Sequence, residues 1–124
     1  MAVYVNNLIV NAGTDFSQTF TVEDSTTNAV KNLTAHSAAS QMRKHAAAVG
    51  VTTFTTSITN ASGGQIRIGL STSQTAELKP GRYVYDVMLT AADNSMTRIV
   101  EGMVLVREGV TRWVLKLVQL HHLQ

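Results

Sequence analysis

The stretch Arg82-Tyr83-Val84-Tyr85-Asp86-Val87-Met88-Leu89-Thr90, residues 82–90, decides the fold. Alternate residues point to opposite sides of an extended chain. The large apolar side chains of this stretch all fall on one side: Tyr83, Tyr85, Val87 and Leu89. A polar turn at 92–95 and an apolar run at 96–107 follow, and together they predict the second strand of a hairpin. Within that second strand, Gly102 is expected to form a bulge or a bend.

Two further blocks with the same period lie earlier in the chain. Residues 54–58 and 66–70 flank the stretch Asn60-Ala61-Ser62-Gly63-Gly64, which is rich in turn-forming residues. These two blocks are therefore predicted to form a hairpin. Residues 16–22 place Phe16, Phe20 and Val22 on one face and predict another strand, which ends at a polar turn.

Three segments have weaker patterns. Residues 3–10 are predicted to form one strand. Residues 36–45 fit a strand with Ala38 and Met42 pointing inward, although the alanines that follow would also suit a helical turn. Residues 71–78 have the serine, threonine, glutamine and glutamate of a capped helical turn.

Composition supports the same architecture. The 124 residues include sixteen threonines, fifteen valines and nine serines, a mixture that favours strands over long helices. Short strands separated by frequent turns are typical of a sandwich. We therefore predict an all-β, immunoglobulin-like Greek-key β-sandwich of about seven to eight short antiparallel strands, which occupies residues 1–112.

The residues at the start of the predicted strand over 82–90 match a known structural motif. Leu78, Gly81 and Tyr83 have the spacing of a tyrosine corner, in which the phenol hydroxyl donates a hydrogen bond to the backbone of the preceding loop. The predicted role of this motif is stability of the fold.

Residues 113–124 form an apolar C-terminal segment that something must cover. Three origins fit: an extra strand or helix in the same core, an arm that docks on a neighbouring subunit, or a stretch outside the natural protein. The candidate assembly contacts in this segment are Trp113, Leu115, Leu117 and Leu120.

The sequence offers little support for catalysis or metal binding. It contains no cysteine, which excludes disulfides, thiol nucleophiles and cysteine-based zinc sites. No nucleophile elbow, zinc helix or phosphate-binding loop is present. We therefore expect no catalytic residues, no metal site and no cofactor, with His36, His45, His121 and His122 exposed or hydrogen-bonded.

Charge and hydropathy narrow the choice of partners. The net charge of +2 comes from lysines and arginines spread singly along the chain, so no nucleic-acid surface is expected. No apolar run reaches the length of a membrane span, and the first residues lack the pattern of an export signal. Asp86 is predicted to pair with Arg98 or Arg82. Met88, Met96 and Met103 are predicted to be packing residues rather than a binding surface, although methionines that flank a hairpin can also serve at interfaces.

Several blocks resemble small virion proteins of tailed bacteriophages. The resemblance spans about residues 1–112 and lies in Asp15-Phe16-Ser17-Gln18-Thr19-Phe20, in Leu78-x-x-Gly81-x-Tyr83-Val84-Tyr85-Asp86-Val87 and in Thr97-Arg98-Ile99-Val100-Glu101-Gly102-Met103-Val104-Leu105-Val106. Shorter matches are Asn32-Leu33-Thr34, Met42-Arg43-Lys44 and Val110-Thr111-Arg112. The family is the immunoglobulin-like domain of tail, baseplate and neck components, including the N-terminal domain of baseplate upper proteins, and the opening also looks like short structural proteins of cyanophages.

This resemblance implies a non-enzymatic structural protein of the virion, made in the cytoplasm of the host bacterium. The partners it implies are other virion proteins and further copies of the same chain. The alternative is a carbohydrate- or receptor-binding sandwich on the virion surface, for which Trp113 and Tyr4 are the spare aromatic residues.

Overall fold

The computed structural model describes residues 4–24 and 27–110, which form two layered sheets. The larger sheet contains β1 (Tyr4–Val5), β2 (Leu8–Asn11), β4 (Ser37–Arg43), β5 (Thr52–Thr53), β8 (Gly81–Thr90) and β9 (Met96–Arg107). The smaller sheet contains β3 (Phe16–Thr21), β6 (Thr55–Asn60) and β7 (Gln65–Leu70). A short helix, α1 (Thr72–Ala76), connects β7 to β8.

The order of the strands is that of an immunoglobulin-type sandwich. The larger sheet runs β1-β9-β8-β4-β5, with β2 also on β9, and the smaller sheet runs β3-β7-β6. The chain changes sheet between β2 and β3, between β3 and β4, between β5 and β6 and between β7 and β8, which gives the Greek-key connections. The inner faces of both sheets supply the buried core. The predicted all-β sandwich is confirmed.

The hairpin of β8 and β9 is confirmed, but its bulge lies elsewhere than predicted. The pairs Val87 with Val100 and Met88 with Arg98 leave Ile99 as the extra residue. This bulge turns both Ile99 and Val100 into the core. Gly102 pairs in regular register with Tyr85, so the prediction of a bulge at Gly102 was wrong.

The other strand predictions are largely confirmed. β6 and β7 form the predicted hairpin, and β4 is a strand with Met42 buried rather than a helical turn. Phe54 belongs to neither β5 nor β6. Its buried ring lies 6.1 Å from the rings of both Phe16 and Tyr85, at the point where the chain changes sheet.

Helix α1 confirms the predicted capped turn and fixes the neighbouring loop. Ser71 and Gln74 form a reciprocal capping box. The hydroxyl of Thr75, on a fully buried side chain, accepts from the backbone N–H groups of Gly13 and Thr14 at 3.1 Å each. It also donates to the Thr14 carbonyl at 2.7 Å. The loop between β2 and β3 is therefore held in place by α1.

The N-terminal strand differs from the prediction in two respects. Of the region predicted as one strand, the described residues form two, β1 and β2, and both pair parallel with β9. The expected sandwich was antiparallel throughout. Parallel pairing joins residues more than ninety positions apart here, so no local pattern in the sequence reveals it.

Gly102 lies where the backbone between β1 and β2 comes close to β9. A Cβ atom at this position would overlap the carbonyl oxygen of Asn6. The same oxygen accepts a hydrogen bond of 2.6 Å from the Tyr85 hydroxyl, and the Asn6 N–H donates to the Glu101 carbonyl at 3.0 Å. The side-chain amide oxygen of Asn7 accepts from the Met103 N–H at 3.0 Å. The missing side chain of Gly102 thus makes room for the Asn6 carbonyl.

The predicted C-terminal segment lies beyond this description, whereas the expectation about membrane spans concerns the described residues. Residues 113–124, including Trp113, Leu115, Leu117 and Leu120, lie outside the described residues. Among the described residues, no helix is both long and apolar enough to cross a membrane.

We expect Gly102→Ala to lower the free energy of unfolding by about 1–3 kcal/mol, because the added methyl group must displace the Asn6 backbone. Urea unfolding checks this value. Gly50→Ala is the matched control, since its Cβ would meet no atom within 4 Å. Equal stabilities of the two variants would contradict this account of Gly102.

Candidate functional site

The structure brings Leu78, Gly81 and Tyr83 together at the entrance to β8. The Tyr83 hydroxyl donates to the carbonyl oxygen of Lys79 at 2.7 Å, which is the bond that a tyrosine corner needs. Leu78 and Tyr83 pack against the core cluster. Gly81 has φ of +139°, a backbone conformation that favours glycine.

The corner bond lies at the surface of the protein. The ammonium group of Lys44 stands 4.8 Å from the centre of the Tyr83 ring, which adds a cation–π contact at an exposed site. Water can replace a surface hydrogen bond. The bond of Tyr83 therefore contributes less to stability than a buried one would.

Tyr85 makes the more deeply placed phenol contact. Its side chain is buried, and its hydroxyl donates to the Asn6 carbonyl between β1 and β2. Burial raises the pKa of Tyr85 well above its ordinary value, and the nearby Tyr4 raises it further. Tyr85 stays neutral in the folded protein under conditions where an exposed tyrosine ionises.

A charged cluster lies on the outer face of the larger sheet. The Arg98 Nε atom is 3.3 Å from an Asp86 carboxylate oxygen, and its Nη1 atom is 3.7 Å from a Glu101 oxygen. Of the two predicted partners of Asp86, Arg98 rather than Arg82 forms the ion pair. Both carboxylates face a cation in solvent, so the cluster has the form of a surface ion-pair network.

An apolar stripe lies next to this cluster on the same face. We define the stripe by its members: Ile9, Val84, Met103 and Leu105. In the sheet register Ile9 pairs with Leu105, and Val84 pairs with Met103. Their exposed fractions run from 37% for Val84 to 56% for Ile9. Four adjoining aliphatic or thioether side chains therefore face solvent in the described structure.

The methionines depart from the sequence expectation. Met103 lies in the apolar stripe, and Met96 is 64% exposed at the start of β9. The prediction that these two residues are packing residues was wrong. The bulge at Ile99 sets which residues of β9 face inward, and Met96 and Met103 fall on the outward side.

A groove of about 570 Å³ joins the cluster and the stripe. Val84 and Met103 line one part of it, and Asp86, Arg98 and Glu101 line another. Arg43 lies at its border and donates hydrogen bonds to the Ala48 carbonyl at 2.7 Å and to the Gln41 side chain at 3.2 Å. The groove thus combines apolar contact area with charges that are already paired, a combination suited to contact with another protein.

The histidines do not converge within the part of the chain that the structure describes. His36 makes a 2.9 Å contact through Nδ1 with the Thr34 carbonyl, and His45 borders the groove. His121 and His122 lie outside the described residues. Within the described residues, 4–24 and 27–110, no group of three or more histidine, aspartate or glutamate side chains could hold a metal ion.

The sequence reading overlooked the apolar stripe although a signal for it was present. Leu8-Ile9-Val10 and Met103-Val104-Leu105-Val106 are apolar at every position rather than at every second one. Strands with two apolar faces are typical of sheets covered on both sides. The outer residues of these two runs form most of the stripe.

Comparison with known proteins leaves the family open. No protein-family model matches the sequence, and no curated protein matches it. Among solved structures, the chain is similar to the Listeria monocytogenes internalin-like protein lmo2027, with 14% identity and a TM-score of 0.42 over 86% of this chain and 28% of that one. It is also similar to a family 123 glycoside hydrolase from Clostridium perfringens, with 12% identity and a TM-score of 0.42 over 90% of this chain and 24% of that one. The chain thus spans about a quarter of the length of each solved chain.

We expect Tyr85→Phe to lower the free energy of unfolding by about 1–3 kcal/mol, since it leaves the Asn6 carbonyl without its donor. Tyr83→Phe should cost less than about 1 kcal/mol, because its bond lies at the surface. Urea unfolding at neutral pH compares the two variants. A larger loss for Tyr83→Phe would contradict this ranking.

Tyr85 also predicts a loss of stability in alkali. The pKa of Tyr85 is raised in the folded state above the ordinary 10.0. Its contribution to the free energy of unfolding is therefore fully present below pH 10.0 and falls as the pH rises further. The unfolded chain then gains stability by releasing the proton. Stability measured against pH should decline less steeply above pH 10.0 in Tyr85→Phe than in the natural sequence. Identical slopes would contradict the assignment.

We expect Arg98→Gln to lower the free energy of unfolding by less than about 1 kcal/mol, because both of its ion pairs face solvent. Thermal unfolding at low and high salt measures the effect. A loss several times larger would contradict this account and show that the cluster contributes strongly to the stability of the fold.

Proposed function

We propose that this protein is a non-enzymatic structural component of a tailed-bacteriophage particle, which contacts other particle proteins through the outer face of its larger sheet. The observation that carries the assembly role is the apolar stripe. Ile9 and Leu105 are neighbours on adjacent strands, and both face solvent while the residues on either side of them in sequence are buried. Such a patch on a sheet face gains free energy when another surface covers it.

The charged cluster would give this surface specificity for its partner. Asp86, Arg98 and Glu101 lie beside the stripe in the same groove. Apolar contact area bordered by paired charges is typical of protein–protein interfaces, in which the apolar centre provides affinity and the polar rim provides specificity. An assembly surface of this kind requires no cofactor.

The phage context is supported by the sequence resemblance described above. The blocks that carry it include the corner residues Leu78, Gly81 and Tyr83 and the segment 97–106 on β9. On this proposal the protein is made in the cytoplasm of the host bacterium and resides in the virion. Its partners are other virion proteins.

The test is incorporation into particles. A tagged full-length chain is expressed during infection by the phage that carries the gene, and purified particles are analysed by mass spectrometry. We expect the natural sequence in the particles and at least about ten-fold less of Leu105→Glu, which places a charge within the stripe. Val49→Glu, at an exposed loop position outside the stripe, is the matched control and should be incorporated normally.

Two outcomes would contradict the proposal. Absence of the natural chain from purified particles would exclude a virion protein. Equal incorporation of Leu105→Glu and Val49→Glu would show that assembly does not use the apolar stripe. Thermal unfolding of both variants verifies that each is folded before the comparison is made.

A further inference from the structure

We propose that the outer edge of β3 accepts residues 113–120 of a second copy of this chain as an added strand. This inference deepens the proposed assembly role by naming one partner and the place where it binds. It depends on a different part of the molecule from the apolar stripe.

β3 lies at an edge of the smaller sheet. It pairs with β7 over its full length, and among the described residues no strand pairs with its other side. The Val22 N–H donates to the Gly64 carbonyl at 2.8 Å, which places the backbone groups of even-numbered residues on the β7 side. In an antiparallel ladder, neighbouring residues direct these groups to opposite sides. The N–H and C=O groups of Ser17, Thr19 and Thr21 therefore point away from β7.

This edge lacks the usual devices that block strand addition. The sequence Phe16-Ser17-Gln18-Thr19-Phe20-Thr21 has no charge, proline or glycine, and its register with β7 contains no bulge. The Thr19 carbonyl receives a long 3.4 Å contact from the side-chain amide of its neighbour Gln18. Six regular residues are enough to template another strand.

The other described sheet edges are less suited to strand addition. β5 has two residues, and the N-terminal edge is interrupted at Asn6 and Asn7, between β1 and β2. β6 contains a register shift between Ile58 and Asn60. Its Thr56 hydroxyl also donates to the Ala38 carbonyl of the larger sheet at 2.8 Å. β3 therefore combines length, regularity and lack of charge in a way that these edges do not.

Residues 113–120 have the composition of a strand that would fit this edge. Their sequence is Trp113-Val114-Leu115-Lys116-Leu117-Val118-Gln119-Leu120, with one charge and two β-branched residues. As an added strand, this segment would place Trp113, Leu115 and Leu117 on one side. Backbone hydrogen bonds to β3 would supply affinity, and these side chains would supply apolar contact.

Topology favours a second copy over the segment's own domain. The chain leaves β9 at Arg107, next to the end of β2, where the Ala12 N–H donates to the Arg107 carbonyl at 2.9 Å. β2 lies outside β9 in the larger sheet, and the loop from β2 already leads to β3. A segment that ran from β9 to the outer side of β3 would have to cross this loop, which α1 holds in place. Connections that cross at one end of a sandwich are avoided.

The strand direction of the added segment also favours a second copy. β3 runs back from the end of the sandwich at which β9 finishes, so the chain's own segment returning along β3 would pair parallel to it. A segment from a second copy is free to pair antiparallel, which is the more stable arrangement. Reciprocal exchange between two copies would satisfy both edges at once.

Cross-linking of mixed chains tests the proposal directly, since the natural sequence has no cysteine. One tagged full-length chain carries Thr19→Cys, and a second untagged chain carries Lys116→Cys. A short bismaleimide should join them into a covalent dimer that contains one chain of each kind. The matched control replaces Thr19→Cys by Ser57→Cys, an exposed position on the bulged edge of β6, and should give no such dimer.

A second measurement uses light scattering of the full-length chain over a range of concentrations. We expect the natural sequence to dimerise. Thr19→Pro, which removes an outward N–H, should weaken dimerisation by roughly ten-fold, the effect of losing one or two net hydrogen bonds. Leu115→Asp should weaken it similarly, without lowering the melting temperature measured in dilute solution, where the chain is monomeric.

The outcomes separate this inference from the proposed function. Leu105→Glu, which alters the apolar stripe, should leave the Thr19–Lys116 cross-link intact whether or not it affects incorporation into particles. A monomer at all concentrations would overturn the inference. So would a cross-link found within single chains that carry both cysteines and absent from the mixture.

Discussion

The pairing of the N-terminal strand with β9 is the constraint on which the rest of the structure depends. The Asn6 carbonyl enters the edge of the core because Gly102 has no side chain and Tyr85 supplies a donor. Through this contact β1 and β2 join the larger sheet. The N-terminal segment can pair with the edge of one sheet only. Because it pairs with β9, the outer side of β3 has no partner among the described residues.

The same pairing creates the outer face. β2 places Ile9 beside Leu105, and the Ile99 bulge sets Met103 and Leu105 outward on β9. The two surfaces proposed for assembly, the apolar stripe and the β3 edge, are thus consequences of where the first strand lies. They differ in physical character, because the stripe offers side-chain area whereas the edge offers backbone hydrogen bonds.

Local patterns in the sequence predicted the local elements well. Period-two alternation located the hairpin of β8 and β9, and the Ser71 to Gln74 capping box located α1. What the sequence did not reveal depends on distant residues: the parallel pairing, the function of Gly102 and the change of sheet at Phe54. The outward position of Met103 follows from a bulge, which shifts alternation by one residue and which no residue type announces. The apolar stripe could have been inferred from the strands that are apolar at every position, whereas the free edge of β3 depends on topology alone.

Amide hydrogen exchange, measured residue by residue at several protein concentrations, tests the central claim most directly. The account predicts slow exchange for Phe16, Gln18 and Phe20 at every concentration, because their N–H groups bond to β7. Ser17, Thr19 and Thr21 should exchange quickly in dilute solution and become protected as the concentration rises. Fast exchange of these three N–H groups at every concentration, or protection that is independent of concentration, would contradict the claim that a second copy completes this edge.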